Sequence, residues 1–211
     1  MGFDLYGMNP TINKKYPPKY NKILKKYGKD GMINWKKDIP EKVKDEYFEL
    51  KDKYQEDNPG DYFRNNVWWW RPLWQFVCAS CDDILTEKDM ERGNYNEGHK
   101  ISKTKATRIA KRLSKYLADG TVDKIDKKNA LERAEAIAHN ETVQEELDEI
   151  EKECKKKNGK DLEPANYPEP SKSKWTKIYK KKNWTSDYPF DKGNIEDFTK
   201  FCIQSGGFEI C

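Results

Sequence analysis

Phe63, Val67, Trp70, Trp74, Val77 and Cys81 recur at spacings of 4, 3, 4, 3 and 4, the period that lines one face of an α-helix. No other stretch is as regular, so the core is expected to form against this stripe. Pro72 interrupts it: proline has no N–H and disfavours helical geometry at Arg71. The apolar phase nevertheless continues across it, which predicts a kinked helix or two closely stacked ones. Rings matter here because aliphatics are few. Ile, Leu, Val and Phe total 37 of 211 residues, just under the roughly 20% below which chains tend towards disorder. Seven Trp and 12 Tyr add large amphipathic rings, each able to bury about 150–250 Å². The 41 basic and 37 acidic residues nearly cancel, leaving +4, so a folded chain with a ring-built core is expected.

Around the stripe, Pro10, Pro17, Pro18 and Pro40 with Gly7, Gly28 and Gly31 divide the first forty residues into turns around one short helix near Lys19–Tyr27. Phe3-Asp4-Leu5-Tyr6 alternates like a strand. Val43, Tyr47, Leu50 and Tyr54 mark an amphipathic helix from Glu41 to Glu56, and Ser102 caps another that ends at Gly120. Residues 123–157 contain no proline or glycine and predict one long charged helix, or a hairpin broken near Asn140, protruding from the core. Residues 158–187 are polar, lysine-rich and interrupted by proline, and are expected to form a mobile loop. Asp191–Ser205 reads as a final helix, and Phe208-Glu209-Ile210-Cys211 as a strand whose natural partner is Phe3–Tyr6. The expected fold is mainly α: a single compact helical domain over 1–211, with a small β element joining the N- and C-termini.

Three separated blocks carry a resemblance. They are Met1-Gly2-Phe3-Asp4-Leu5-Tyr6-Gly7, the run Tyr62-Phe63-Arg64-Asn65-Asn66-Val67-Trp68-Trp69-Trp70-Arg71-Pro72-Leu73-Trp74, and Ser205-Gly206-Gly207-Phe208-Glu209-Ile210-Cys211. Together they resemble an uncharacterised family of bacteriophage proteins. The resemblance implies a phage-encoded accessory protein and carries over no activity. No run approaches the ~18 apolar residues of a membrane helix. The start lacks a cationic and then apolar leader, so the cytoplasm of the host cell is the expected location. Five cysteines in such a setting default to free thiols.

The chemistry concentrates in four places. Arg64, Asn65, Trp68, Trp69 and Arg71 sit together in the middle block, where three successive tryptophans cannot all point inward from one helix. Trp70 and Trp74 lie on the core stripe. Trp68 and Trp69 beside Arg and Asn offer stacking faces, a phosphate fork and a bidentate amide, as a nucleotide requires. The bland alternative is packing, with the arginines pairing to acids. Second, Cys78-Ala79-Ser80-Cys81 supplies half of a zinc site but has no second CxxC or CxxH, so buried thiols are the expectation and no metal is assigned. Third, His99, Lys100 and Lys103 lead into the Ser102 helix, whose N-terminal amides attract anions; the alternative is an ordinary turn and cap. Fourth, Lys103, Lys105, Arg108, Lys111, Arg112 and Lys115 form one basic helix face. Lys172–Lys182 interleaves six lysines with Trp175 and Tyr179. Seven acids in Glu141–Glu153 are available to pair with either.

No Walker loop, dinucleotide glycine fingerprint, GxSxG elbow, HExxH or kinase motif is present. That lowers the expectation of a common enzyme; the Trp, Arg and Asn cluster with the cationic helix start, together with the phage resemblance, gives the expected function as non-enzymatic and anti-defence: binding and sequestering a small anionic ligand, a nucleotide or nucleotide-derived immune signal, without a cofactor or a membrane. Its site would comprise Arg64, Asn65, Trp68, Trp69, Arg71, His99, Lys100 and Lys103. Two alternatives stay open. One is an inhibitor that masks a host defence or transcription protein through Glu141–Glu153 or the lysine-rich segment. The other is a nucleotide-modifying enzyme using Asp82, Asp83, Glu87 or His99.

Overall fold

Phe3 and Leu5 alternate with Asp4 and Tyr6, and this period of two is realised as a strand that organises the first half of the molecule. In the computed structural model, which describes residues 2–211, β1 (Gly2–Gly7) is followed by α1 (Pro18–Tyr27), a small hairpin of β2 (Gly28–Lys29) and β3 (Met32–Ile33), and α2 (Glu41–Asp57). Then come β4 (Tyr62–Asn66), α3 (Val67–Ser80), α4 (Glu87–Arg92), β5 (His99–Ser102) and α5 (Lys103–Ala118). The chain continues through α6 (Thr121–Asn158), α7 (Ser171–Tyr179), α8 (Lys192–Gln204) and β6 (Gly207–Ile210). Helix makes up 62% of the chain, so the fold is mainly α with a small antiparallel sheet. It divides into two compact units, Met1–Gly120 with Lys192–Cys211, and Thr121–Asp191.

In the first unit the sheet runs β4-β1-β6-β5, all antiparallel. The strands from the two ends of the chain pair as expected, Leu5 opposite Ile210 and Tyr6 opposite Glu209. One face carries Phe3, Leu5, Ile101, Phe208 and Ile210, all buried. Phe3 stacks on Trp70 at 5.3 Å and Trp70 on Trp74 at 5.3 Å, while Phe208 meets Phe198 and Phe201 of α8. The core is therefore built from rings, and two are tied down by their polar edges. Trp70 Nε1 donates to the Gly93 carbonyl at 2.8 Å and Trp74 Nε1 to the Met90 carbonyl at 3.1 Å. A side chain on Gly93 would collide with the Trp74 ring. A second cluster joins α1, α2 and the hairpin through Tyr20, Ile23, Ile33, Ile39 and Tyr47.

The predicted stripe needs one correction. Phe63 belongs to β4, because Asn66 ends the strand by capping α3: its Oδ1 accepts from the amides of Trp68 and Trp69 at 3.0 and 3.1 Å. Phe63 still reaches the same core, 5.4 Å from Phe198. Pro72 neither breaks α3 nor starts a second helix, since Val67–Ser80 is continuous. Its missing N–H falls near the start of the helix, opposite the Trp68 carbonyl, where only one bond of the ladder is lost.

In the second unit α6 is one unbroken helix of 38 residues, about 57 Å long at 1.5 Å per residue. The segment read as a loop over 158–187 holds α7 and two short 3-10 turns. Ile150 and Cys154 of α6 pack with Tyr167, Trp175 and Ile178. Glu146, Glu149 and Glu153 line the same groove as Lys174, Lys177 and Lys181, with Lys181 Nζ 2.7 Å from Glu146. Both rows step by three and four residues, so acids on one helix face lysines on the other. Asn140 adds hydrogen bonds to Asn183 and Ser186.

Trp70→Ala is expected to lower unfolding free energy by about 3–5 kcal/mol. Trp68→Ala should cost less than about 1 kcal/mol, because Trp68 is 43% exposed and Trp70 is fully buried. Urea unfolding of the two variants checks the contrast.

Candidate functional site

Strand alternation that buries Phe3 and Leu5 sends Asp4 and Tyr6 to the other side of the sheet, away from α3 and α8. Register completes that outward face. Tyr62, Tyr6, Glu209 and Lys100 lie directly across from one another on β4, β1, β6 and β5, and Arg64 lies opposite Asp4 in the next row. Tyr6 is 50% exposed, and its ring sits 5.3 Å from that of Tyr62. The Tyr62 hydroxyl donates to Asp4 Oδ1. Burial, with the Asp4 carboxylate beside it, holds that hydroxyl well above its ordinary pKa.

Arg64 is the most chemically open group on this face. Its Nε lies 3.5 Å from Asp4 Oδ1, and its side chain is 67% exposed. The two terminal nitrogens have no hydrogen-bond partner among the described residues. The guanidinium passes beside Gly2, with Nη2 3.6 Å from where a Cβ would stand. Gly2 is the register partner of Asn66, the cap of α3. Arg64 thus reaches from the sheet towards the first turn of α3, which holds Trp68 and Trp69, 43% and 37% exposed, and no acid. Arg71 follows one turn later and is also exposed.

The remaining residues expected at the site lie elsewhere. Asn65 points to the opposite side of β4 from Arg64, and its Nδ2 donates to Asn194 at 2.9 Å, helping to fasten α8 to the sheet. His99 and Lys100 sit on β5, the far edge of the sheet, three strand spacings or about 14 Å from β4. Lys100 is on the outward face, 3.7 Å from Glu209, whereas His99 faces inward opposite Ile210. Lys103 is exposed in the first turn of α5. Arg64 and Lys100 share the outward face of the sheet, on β4 and β5, whereas Trp68, Trp69 and Arg71 are exposed positions of α3, the helix that packs on the other face through Trp70. His99 and Asn65 serve packing. Tyr6, Tyr62, Asp4 and Glu209 join the site without having been expected there.

His99 belongs to a buried polar cluster. Its Nε2 is 3.0 Å from Asp89 Oδ1; Asp89 Oδ2 accepts from the Thr86 amide and hydroxyl at 2.8 and 2.7 Å and pairs with Lys105. Burial alone would raise the Asp89 carboxyl, but the bonds from Lys105, Thr86 and His99 outweigh it and hold the group well below the usual carboxylate range. Asp89 and Thr86 also form the capping box of α4. Other cations of the basic helix face are engaged likewise: Arg112 Nη2 donates to both carboxylate oxygens of Asp83 at 3.0 Å while Nη1 donates to the Ser80 carbonyl, and Arg108 approaches the same carboxylate. Asp83 and His99, considered above as acid and base, are therefore structural partners.

Cys78 and Cys81 are pushed up to about 12 and about 11, mainly by burial, which keeps both as thiols. Among the described residues no group of three His, Cys, Asp or Glu side chains is placed to hold a metal ion. No described helix is long and apolar enough to cross a membrane. Compared with protein families, curated proteins and solved structures, the chain has no match.

Asp89→Ala should destabilise the first unit by about 3 kcal/mol, since Lys105 and His99 would lose their common acceptor. Because the folded carboxyl titrates below the unfolded one, its contribution is present above about pH 4 and fades as pH falls further. Urea midpoints at pH 7 and pH 3 should therefore fall less in Asp89→Asn than in the parent protein.

Proposed function

We propose that this chain is a phage-encoded accessory protein that binds and sequesters a small anionic aromatic ligand, a nucleotide or a signal derived from one, without altering it. The observation that supports the reading is Arg64: an exposed guanidinium whose Nε lies 3.5 Å from Asp4 and whose terminal nitrogens have no hydrogen-bond partner among the described residues, on the same sheet face as the exposed ring of Tyr6. A planar fork of this kind suits a phosphate bidentately, and the ring suits a base. Tyr6 and Arg64 are exposed, so a ligand would reach them without displacing packed structure.

The phage origin rests on the three sequence blocks, which fall on neighbouring parts of one structure: β1, β4 with α3, and the end that forms β6. The reading as a non-enzyme is supported by the engagement of Asp83 with arginines and of His99 with Asp89. A protein-inhibitor reading through Glu141–Glu153 or the lysine segment is weakened where Glu146 already pairs with Lys181. A different surface favours that second reading, namely Trp35, 55% exposed and stacked on Phe48 at 5.6 Å, with Met32 close in sequence and also exposed.

Isothermal titration against linear and cyclic nucleotides tests the first reading. At least one nucleotide should bind and be recovered unchanged, and Arg64→Gln should weaken it about tenfold, the scale of one charge-assisted contact. Absence of binding across the panel would sink it, and a host protein captured only while Trp35 is intact would favour the second.

A further inference from the structure

No helix of the chain as long as α5 is free of acids, and the fold uses only some of its cations. Ala106, Ile109, Ala110 and Leu113 are buried and fix which side of the helix faces the core. Going round from that side at about 100° per residue, the basic positions come in the order Lys105, Arg112, Arg108, Lys115, Lys111 and Lys103. Acids from the preceding segment take the first three: Asp89 pairs with Lys105, and Asp83 with Arg112 and Arg108. The last three are exposed, and among the described residues none of their ammonium groups has an ion pair or a hydrogen bond. Thr104, Thr107 and Ser114, all exposed, fall on the same part of the helix. One flank of α5 is thus neutralised within the protein, and the other keeps a row of cations separated by short hydroxyl side chains.

Lys103, Lys111 and Lys115 are stepped by eight and four residues, about 12 and 6 Å along the axis. A small anion cannot span that row. A repeated one can, because one strand of a duplex passes about five phosphates in the same 18 Å or so. Hydroxyls beside the lysines add donors to phosphate oxygens. Nothing on this flank reads a base: α5 has no Asn or Gln, and Arg108 and Arg112, whose forks would suit guanine, are turned to Asp83. The near balance of charge over the whole chain does not cancel the row, since exposed charges more than about 8 Å away are largely screened at physiological salt. We propose that this flank of α5 is a docking surface for the phosphate backbone of a nucleic acid, bound without regard to sequence. The inference does not depend on the reading of Arg64.

The test is fluorescence anisotropy of the full chain with labelled duplex and single-stranded DNA, each in two unrelated sequences, over about 50–200 mM salt. Both sequences of a form should bind alike. With three phosphate contacts, log K should fall against log salt with a slope of about −2.7 for the duplex or about −2.1 for the single strand. Lys103→Gln, Lys111→Gln and Lys115→Gln should each weaken binding to both sequences and flatten the slope by about one. The double variant Lys22→Gln, Lys25→Gln removes two exposed lysines from α1 and should change neither affinity nor slope, which separates the row from net charge. The substituted side chains are exposed and glutamine is a good helix former, so circular dichroism should show every variant folded. A stronger response from one form of DNA identifies whether a duplex or an open strand supplies the backbone. Absence of binding to either form, a preference between the two sequences, or an equal loss in the α1 double variant would overturn the inference.

Discussion

Much of the first unit depends on the pairing of β1 with β4 on one side and β6 on the other, because that strand carries core and site on its two faces. Phe3 and Leu5 seat the sheet on the Trp70–Trp74 stack and on α8. Asp4 and Tyr6, one residue out of phase, orient Arg64 and pair with Tyr62. A shift of one residue in register would exchange the two sets, exposing Phe3 and Leu5 and burying a carboxylate. The same packing that stabilises the first unit therefore fixes the geometry of the proposed site.

The ring-rich composition now has a physical division of labour. Trp70 and Trp74 are acceptable in a dry core because their N–H groups reach the carbonyls of Gly93 and Met90. Those contacts require Gly93 to lie flat against Trp74. Tyr54, Tyr16 and Tyr20 stack at 3.7 and 3.8 Å between α1 and α2, replacing aliphatics that this part of the chain lacks. Trp68, Trp69 and Tyr6 stay partly exposed, at 43%, 37% and 50%.

Long helices and their faces were legible because a 3.6-residue period over many residues leaves little ambiguity: α2, α5 and α8 lie close to where the pattern places them. The pairing of the terminal strands was legible too, from two short alternations at the chain's ends. Tyr62–Asn66 was not, because an adjacent helical stripe absorbed Phe63 into its phase, and only the cap made by Asn66 separates strand from helix. With β4 misread, Tyr62 and Arg64 could not be assigned to the face of Tyr6, so half of the candidate site was hidden. His99 was misplaced for a related reason. β5 is four residues long and shows no clear alternation, and its inward-facing histidine is held by Asp89 ten residues earlier, a partner that spacing does not announce.

Arginine usage adds a constraint independent of the rings. The chain has 35 lysines and six arginines, so wherever lysine would suffice the bias favours lysine, and a retained guanidinium marks a need for its planar fork. Arg112 and Arg108 converge on Asp83, Arg92 meets Glu97 at 2.6 Å, and Arg133 donates to the Ser186 carbonyl at 2.7 Å. Each of these forks grips an acceptor within its own unit. Arg64 differs: its Nε lies 3.5 Å from Asp4, its side chain is 67% exposed, and the guanidinium passes beside Gly2. A flexible ammonium would fold down onto Asp4 and neutralise it. A guanidinium that meets Asp4 through Nε still has its terminal N–H donors available, a geometry that benefits folding little and suits recognition of an oxyanion.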